Sequence, residues 1–250
     1  MFDLSGRVAL VTGAGQHTGE GIALGLARQG AAVAVNDLHA DRAAGVVERM
    51  VADGLRAAAV PFDVTDPSAV ASGVEAARRA LGPIDIVVNN AGNAGASTFE
   101  PRPFVTMEPS EYAKFVDVNL FGVLHCTRAL LSGMCERRWG RIITISSGAG
   151  LVGSPMGISV YGAAKGGAIA FMRHLALEVA RHGVTANTLA LGLLSHVGDA
   201  EVTRALARSI PVGRLGTPED VAAAVAWLAS PEGAWVTGQT ISIDGGATAR

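Results

Sequence analysis

Cysteine is scarce in this chain. Only Cys126 and Cys135 occur, both within one stretch that reads as helix. They form neither a CxxC pair nor a zinc-type spacing, which argues against a disulfide framework and a structural zinc site. Aromatic residues make up only 5%. An excess of basic charge is missing too: 20 Lys and Arg stand against 22 Asp and Glu, for a net charge of -2. That balance offers nothing to draw the chain to nucleic acid or to an anionic membrane. Long uninterrupted apolar runs are absent, since charged residues break every helix-like segment, so no membrane span is expected. The opening Met1-Phe2-Asp3-Leu4-Ser5-Gly6-Arg7 lacks an apolar signal core and leads straight into a strand. A reduced, cytoplasmic protein is the expectation. The six histidines (His17, His39, His125, His174, His182, His196) show no ligand spacing, so no metal is expected.

What is present is a long chain rich in short apolar runs. Its 250 residues are 49% hydrophobic and 17% charged, enough to bury a substantial core. Thirty-two glycines are scattered at turns with no fixed period. Strands read at 8–11, 32–36, 57–62, 84–88, 140–146, 184–189 and 240–243. Helical patterns fall between them at 19–29, 41–52, 67–81, 109–137, from about Tyr161 to His182, and 217–229. Asp66-Pro67 and Thr217-Pro218-Glu219-Asp220 have the form of helix starts. Uniformly apolar strands alternating with helices imply a parallel sheet covered on both faces, wound by right-handed crossovers. The expected fold is therefore α/β, a doubly wound seven-stranded sheet. No Pro/Ser-rich linker divides the chain, so one domain over 1–250 is expected.

Two features carry chemistry. Tyr161 and Lys165 are four apart in a helical stretch and so share a face. A phenol ionises near pH 10, and a cation beside it lowers that value, which makes the pair a candidate proton donor and acceptor. The second feature is the loop Thr12-Gly13-Ala14-Gly15-Gln16-His17-Thr18-Gly19 between the first strand and first helix. Glycines allow close backbone approach to a phosphate, and a helix N-terminus offers N–H groups and a positive dipole end. Asp37, after the second strand, puts a carboxylate where an adenosine ribose diol would lie. It repels a 2′-phosphate, and no Lys or Arg sits in the loop, so NAD is favoured over NADP. Arg42 is close enough to keep NADP open.

With these features in one parallel α/β chain, the sequence resembles the short-chain dehydrogenase/reductase family along nearly its whole length. Further segments are similar to that family's motifs: Asp63-Val64, Asn89-Asn90-Ala91-Gly92, Asn119, Ser147, Thr237-Gly238-Gln239-Thr240 and Asp244-Gly245-Gly246. The resemblance implies catalysis by Asn119, Ser147, Tyr161 and Lys165. It implies cofactor contacts from Gly13, Gln16, His17, Thr18, Gly19, Asp37, Leu38, Asp63, Val64, Asn90, Ala91, Gly92, Tyr161 and Lys165, with Gly192 and Leu194 on the nicotinamide side. Tyr161 would exchange a proton with the substrate oxygen while hydride moves at carbon. Ser147 would hydrogen-bond that oxygen, and Asn119 would connect Lys165 to solvent through water. The resemblance further implies a homotetramer, a dimer of dimers built on the long helices.

The sequence departs from the family in several places. His17 stands where the family's loop has a middle glycine. Either it has ordinary dihedrals and points to solvent or over the adenosine, or it contacts the pyrophosphate. Proline is missing from Ala190-Leu191-Gly192-Leu193-Leu194-Ser195-His196, so Ser195 or His196 serves in place of the family's Thr, or nothing does. The substrate lid, around 193–212, is short. Phe99-Glu100-Pro101-Arg102-Pro103-Phe104 is an apparent insertion. The stretch from Ser147 to Tyr161 is one residue longer than is common in the family, which leaves Ser146 and Gly148 as alternative registers.

Substrate contacts are expected from Ala149, Met156 and Ser195, within walls at 148–156, 192–197 and 94–104. These are small and apolar, which favours a neutral secondary alcohol or ketone, with Arg102 the one cation within reach. The leading expectation is an NAD-dependent alcohol dehydrogenase/ketone reductase. An NADPH-dependent 3-oxoacyl-thioester reductase is the alternative. A non-catalytic cofactor-binding or redox-sensing protein is the alternative of another class.

Overall fold

The computed structural model describes residues 1–93, 101–195 and 200–249. Seven parallel strands form one sheet in the order β3-β2-β1-β4-β5-β6-β7. They are β1 (Val8–Val11), β2 (Ala32–Val35), β3 (Ala57–Ala59), β4 (Ile86–Asn89), β5 (Gly140–Ser147), β6 (Val184–Leu191) and β7 (Thr240–Ile243). The strand order reverses between β1 and β4, and the crevice at such a switch point, beyond the C-terminal strand ends, is where α/β sheets bind ligands.

Every residue of β1, β2, β4 and β6 is buried. Alternate side chains feed two cores. Val11, Val33, Val88 and Ile143 pack on the face carrying α1 (His17–Arg28), α2 (Ala40–Ala52) and α8 (Pro218–Ala229). Leu10, Ala34, Val87 and Ile142 pack on the face carrying α3 (Pro67–Leu81), α5 (Gly122–Glu136) and α6 (Ser159–Val179). The period-two split of otherwise continuous apolar runs is what a doubly covered parallel sheet requires. On the first face α1 and α8 touch closely. A Cβ on Gly21 would lie 2.3 Å from Pro218 Cβ, and one on Gly25 2.7 Å from Ala222 Cβ. These contacts fix the helix whose N-terminus faces the switch point.

Local signals explain the helix ends. Asp66 accepts from the Ser68 N–H ahead of Pro67, and Thr217 and Asp220 form a capping box on α8. Gly183 closes the turn after α6 at φ 72°.

Three expectations are corrected. The strand expected at 57–62 ends at Ala59, although the Val60 N–H still donates to Val35 O. The helix expected at 109–137 is not regular. A 3-10 turn at Pro109–Glu111 leads into α4 (Ala113–Val116), then a π-helical turn at Asp117–Phe121, then α5. Such a turn inserts a residue into the helical ladder, and it does so at Asn119. Finally, the run Pro109–Glu136 is long and apolar enough by composition to cross a bilayer. Its buried positions, including Asn119, Val123, Cys126, Leu130 and Met134, face the protein.

Candidate active site and nucleotide cleft

Ser147 is the last residue of β5, and its hydroxyl accepts from the Ala149 N–H at 3.2 Å. A 3-10 turn over Gly148–Gly150 then lies against α6. A Cβ on Gly150 would fall 3.0 Å from Gly166 N, so the turn and the helix approach closely there. This contact brings the first turn of α6, with Tyr161, up to the end of β5. The Tyr161 phenol is hydrogen-bonded to the Ser147 hydroxyl. Ser146 instead donates to Lys165 O at 3.2 Å, so Ser147 is the serine that meets the phenol. Tyr161 is 6% exposed and packs with Met107 and Phe115.

Lys165 lies one turn further along, fully in the interior. Its ammonium donates to Ile145 O at 2.9 Å and stands 5.9 Å from the Tyr161 ring centre. Burial pulls its pKa from the ordinary 10.5 down to about 8. The phenol moves the other way. Burial pushes its pKa above 10, and the Ser147 hydrogen bond only partly opposes that. Against the expectation of a lowered phenol pKa, burial sets its direction in the protein alone.

Asn119 sits in the π-helical turn with no exposed surface. Its amide donates to Phe115 O at 2.9 Å and to Asn93 Oδ1 at 2.7 Å. Its own Oδ1 is buried with no partner among the described residues. That oxygen and the Lys165 ammonium converge beside Gly92: a Cβ there would meet them at 2.9 and 3.3 Å.

The glycine loop is held from behind. Thr12 Oγ1 accepts from the N–H groups of Asn90 and Ala91, both at 3.0 Å, and Asn90 Nδ2 donates to Thr12 O and Gly13 O. Gly13 has φ 61°, and a Cβ on it would lie 2.9 Å from Ala91 Cα. Asn36, which sequence reasoning passed over, ties the loop to its neighbours. It takes the Gly13 N–H on Oδ1 and donates to Val60 O and Phe62 O. A polar residue ending an apolar strand was the signal.

Asp37 is 6% exposed, and its two oxygens accept from Gly15 N–H and His39 N–H at 3.0 Å. A carboxylate has about four acceptor positions, so capacity remains for a diol. Leu38 beside it is exposed. Gln16 precedes α1 with no side-chain cap, so the first helical N–H groups, with Thr18 and Gly19, keep their capacity for an anion. On these observations the residues fit a dinucleotide.

His17 departs from the ordinary-dihedral reading. It is exposed and adopts φ 51°, the left-handed conformation a glycine would take.

Around the adenine side, Asp63 accepts from the Thr65 N–H and hydroxyl, and Val64 is buried with its carbonyl 3.1 Å from His125 Nδ1. On the nicotinamide side, the Gly192 N–H donates to Ile243 O. Leu194 is buried in a bridge with Gly216, and the Ser195 N–H donates to Gly216 O. Leu194 is thus anchored into the fold.

Part of one expected substrate wall borders a cavity, which neither Ser147 nor Tyr161 lines. Ala149 lines an open cavity of about 350 Å³ with Leu151, Val152, Ile158, Gly162 and Ala163. Met156, also expected as a substrate contact, is 61% exposed. Arg102, the one cation expected within reach of the substrate, is ion-paired with Glu111. Its backbone N–H donates to Gly157 O, so this end of the apparent insertion braces the segment between Ser147 and Tyr161. The expected wall at 94–100, including the start of the insertion, lies outside the described residues, as do His196 and Val197. The segment expected to form a lid contains α7 (Ala200–Ala207), and Val212 N–H donates to Gly245 O near the C-terminus.

Comparison with known proteins agrees with this geometry. The family described as Enoyl-(Acyl carrier protein) reductase matches residues 13–248. The chain is 39% identical to the 3-oxoacyl-[acyl-carrier-protein] reductase FabG of Pseudomonas aeruginosa, with 98% of each covered. Its fold superposes with a TM-score of 0.91 on a gluconate 5-dehydrogenase from Burkholderia cenocepacia in complex with NADP and tartrate, at 34% identity, covering 100% of this chain and 98% of that one. The same score is reached with a 3-oxoacyl-[acyl-carrier protein] reductase with bound NAD from Brucella melitensis, at 35% identity, covering 98% and 92%. The chain belongs to the short-chain dehydrogenase/reductase family and is an NAD(P)-dependent oxidoreductase.

Proposed function

We propose that the protein interconverts a neutral secondary alcohol and its ketone with NAD(H), within a single domain spanning 1–250 and under a short lid. One observation carries the reading: a partly exposed Ser147 meets the buried Tyr161 and Lys165 where β5 meets α6, beside a cleft suited to a dinucleotide. Bound there, the nicotinamide supplies or accepts the hydride.

The chain's own residues handle the substrate oxygen and its proton. The Tyr161 hydroxyl donates a proton to the carbonyl oxygen during reduction, and its raised pKa keeps it protonated at neutral pH. In oxidation the phenolate takes the alcohol proton. The Ser147 hydroxyl steadies charge developing on the same oxygen. Lys165 below pH 8 carries a charge that favours the phenolate once the substrate displaces solvent. Asn119 links it to the bulk through water.

Asp37 supports NAD, since its carboxylate accepts from a ribose diol and repels a 2′-phosphate. An NADPH-dependent 3-oxoacyl-thioester reductase is the second reading. It is favoured by the names of the relatives, and by Arg42, whose Cβ lies 2.6 Å from where a Cβ on Gly15 would sit. Steady-state rates with NADH and NADPH across neutral ketones and a short 3-oxoacyl thioester test the choice. The proposal expects kcat/KM to favour NADH and a neutral ketone; a preference for NADPH and the thioester supports the second reading.

A cytoplasmic homotetramer completes the proposal. Exposed apolar side chains at Phe121, Leu177 and Trp235 support burial against further copies. Sedimentation velocity measures the assembly.

A further inference from the structure

Asn93, directly after the Asn89-Asn90-Ala91-Gly92 segment, has no role in the site as described so far. Its side chain is nevertheless bonded at both ends. Nδ2 donates to Lys114 O at 2.7 Å, and Oδ1 accepts from Asn119 Nδ2 at 2.7 Å. Backbone carbonyls set the sense of both amides. Lys114 O can only accept, so it must face Asn93 Nδ2. That turns Asn93 Oδ1 toward Asn119. Phe115 O, likewise an acceptor, takes the other hydrogen of the Asn119 amide. Neither amide can flip without placing oxygen against oxygen.

The result is that Asn119 presents its oxygen, not its nitrogen, to the interior. This oxygen is fully buried and has no partner among the described residues. A buried acceptor in that state is costly unless something donates to it. The space it faces lies beside Gly92, whose missing side chain leaves room between Asn119 Oδ1 and the Lys165 ammonium. An ammonium has three donors, and Lys165 spends one on Ile145 O.

We propose that Asn93 is a positioning residue that fixes the Asn119 amide so that its oxygen, through a water held beside Gly92, accepts from the Lys165 ammonium. The proposal rests on the reading of Asn119 and Lys165 as parts of the proton-handling end of the site. Asn93 touches none of the reacting atoms; it acts through Asn119. The step involves hydrogen bonds alone and no net transfer of atoms. The groups facing Lys165 are few. Tyr161 is on its own helix, Ile145 O and Ser146 come from β5, and Asn119 comes from the π-helical turn. Burial is the one cause of the lowered lysine pKa, with no carboxylate contributing.

The composition of the chain makes a direct test possible. It has two lysines, Lys114 and Lys165. Protein labelled with 13C at the lysine ε-carbon therefore gives two signals, and a Lys165→Arg sample assigns them. The measurement is the titration midpoint of Lys165 in wild type, Asn93→Ala and Gly92→Ala, with thermal midpoints recorded in parallel. An acceptor on the ammonium favours its charged form, so losing it lowers the midpoint. The expected result is a fall of about half a pH unit or more in both variants at unchanged fold. Asn93→Ala should also lower kcat with little change in the dissociation constant for NADH. An unmoved Lys165 midpoint in a folded Asn93→Ala protein overturns the proposal, and so does a lowered thermal midpoint without a titration shift. Should the alanine variant not fold, Asn93→Ser, too short to hold both partners, takes its place with the same expected shift. The titration needs no turnover, so an inactive wild type would sink the reaction assignment while leaving this result to be read separately.

Discussion

At the N-terminal ends of the strands, the buried polar groups are saturated. Arg141, at 3% exposure, donates to Ser230 O, Gly140 O and Gly183 O. Two of these carbonyls end helical segments, so the guanidinium also meets the negative ends of α8 and of the turn after α6. Arg7 and Arg141 both lie over the Trp139 ring, at 3.7 and 4.5 Å. At the C-terminal ends the pattern reverses: Asn89 Oδ1 and Asn119 Oδ1 are buried without partners among the described residues. An unpaired buried acceptor costs roughly 1–3 kcal/mol. The same sheet therefore spends its polar groups on stability at one edge and holds them for ligands at the other.

Substitutions can break this contrast. Ser147→Ala removes a hydroxyl from the reactive edge. It should lower kcat on the order of a hundredfold, with thermal stability and NADH binding nearly unchanged. Loss of folding instead would place Ser147 among the structural groups. At the other edge, Arg141→Met strands three carbonyls and should cost about 2–4 kcal/mol in urea unfolding while kcat/KM holds. A selective loss of activity there would erase the distinction.

Smaller effects sharpen it. Asp37→Ser should weaken NADH binding by about tenfold and narrow the preference over NADPH, measured by fluorescence titration. Lys165→Met tests the cost of the buried charge. The folded pKa of about 8 lies below the ordinary 10.5, so between these values the unfolded chain holds a proton the folded one has released. The wild type's handicap relative to Lys165→Met is thus full below pH 8 and shrinks as pH rises toward 10.5. Unfolding curves at pH 7 and pH 10 should show the gap closing; a constant gap contradicts the assignment. His17→Gly should have the smallest effect, a gain of at most about 1 kcal/mol, as relief of the left-handed side chain is offset by unfolded-state entropy.

Much of this architecture was legible in the sequence because its signals are local. Four-residue apolar runs can only be doubly buried strands when helices separate them. Asp66-Pro67 and Thr217 to Asp220 carry their caps in adjacent residues. Tyr161 and Lys165 share a helical face by spacing alone. What escaped depends on contacts between distant segments. The π-helical turn at Asn119 has no breaker residue to announce it; it coincides with the bonds from Asn93 and Phe115 O. The direction of the Tyr161 shift depends on burial against Met107 and Phe115, which no spacing reveals. The ion pair between Arg102 and Glu111, nine positions away, is likewise not announced by spacing. Asn36 looked like the end of a strand and proved to be the post to which the glycine loop is tied.

The central claim is that the reactive edge performs proton transfer through Tyr161. The most direct test is turnover of NADH with the best ketone by wild type and Tyr161→Phe, with NADH affinity and the unfolding midpoint measured on the same samples. The account predicts a loss of roughly a thousandfold in kcat with affinity and stability retained. Equal turnover by the two proteins, or binding of NADH with no Tyr161-dependent turnover on any ketone, would contradict it.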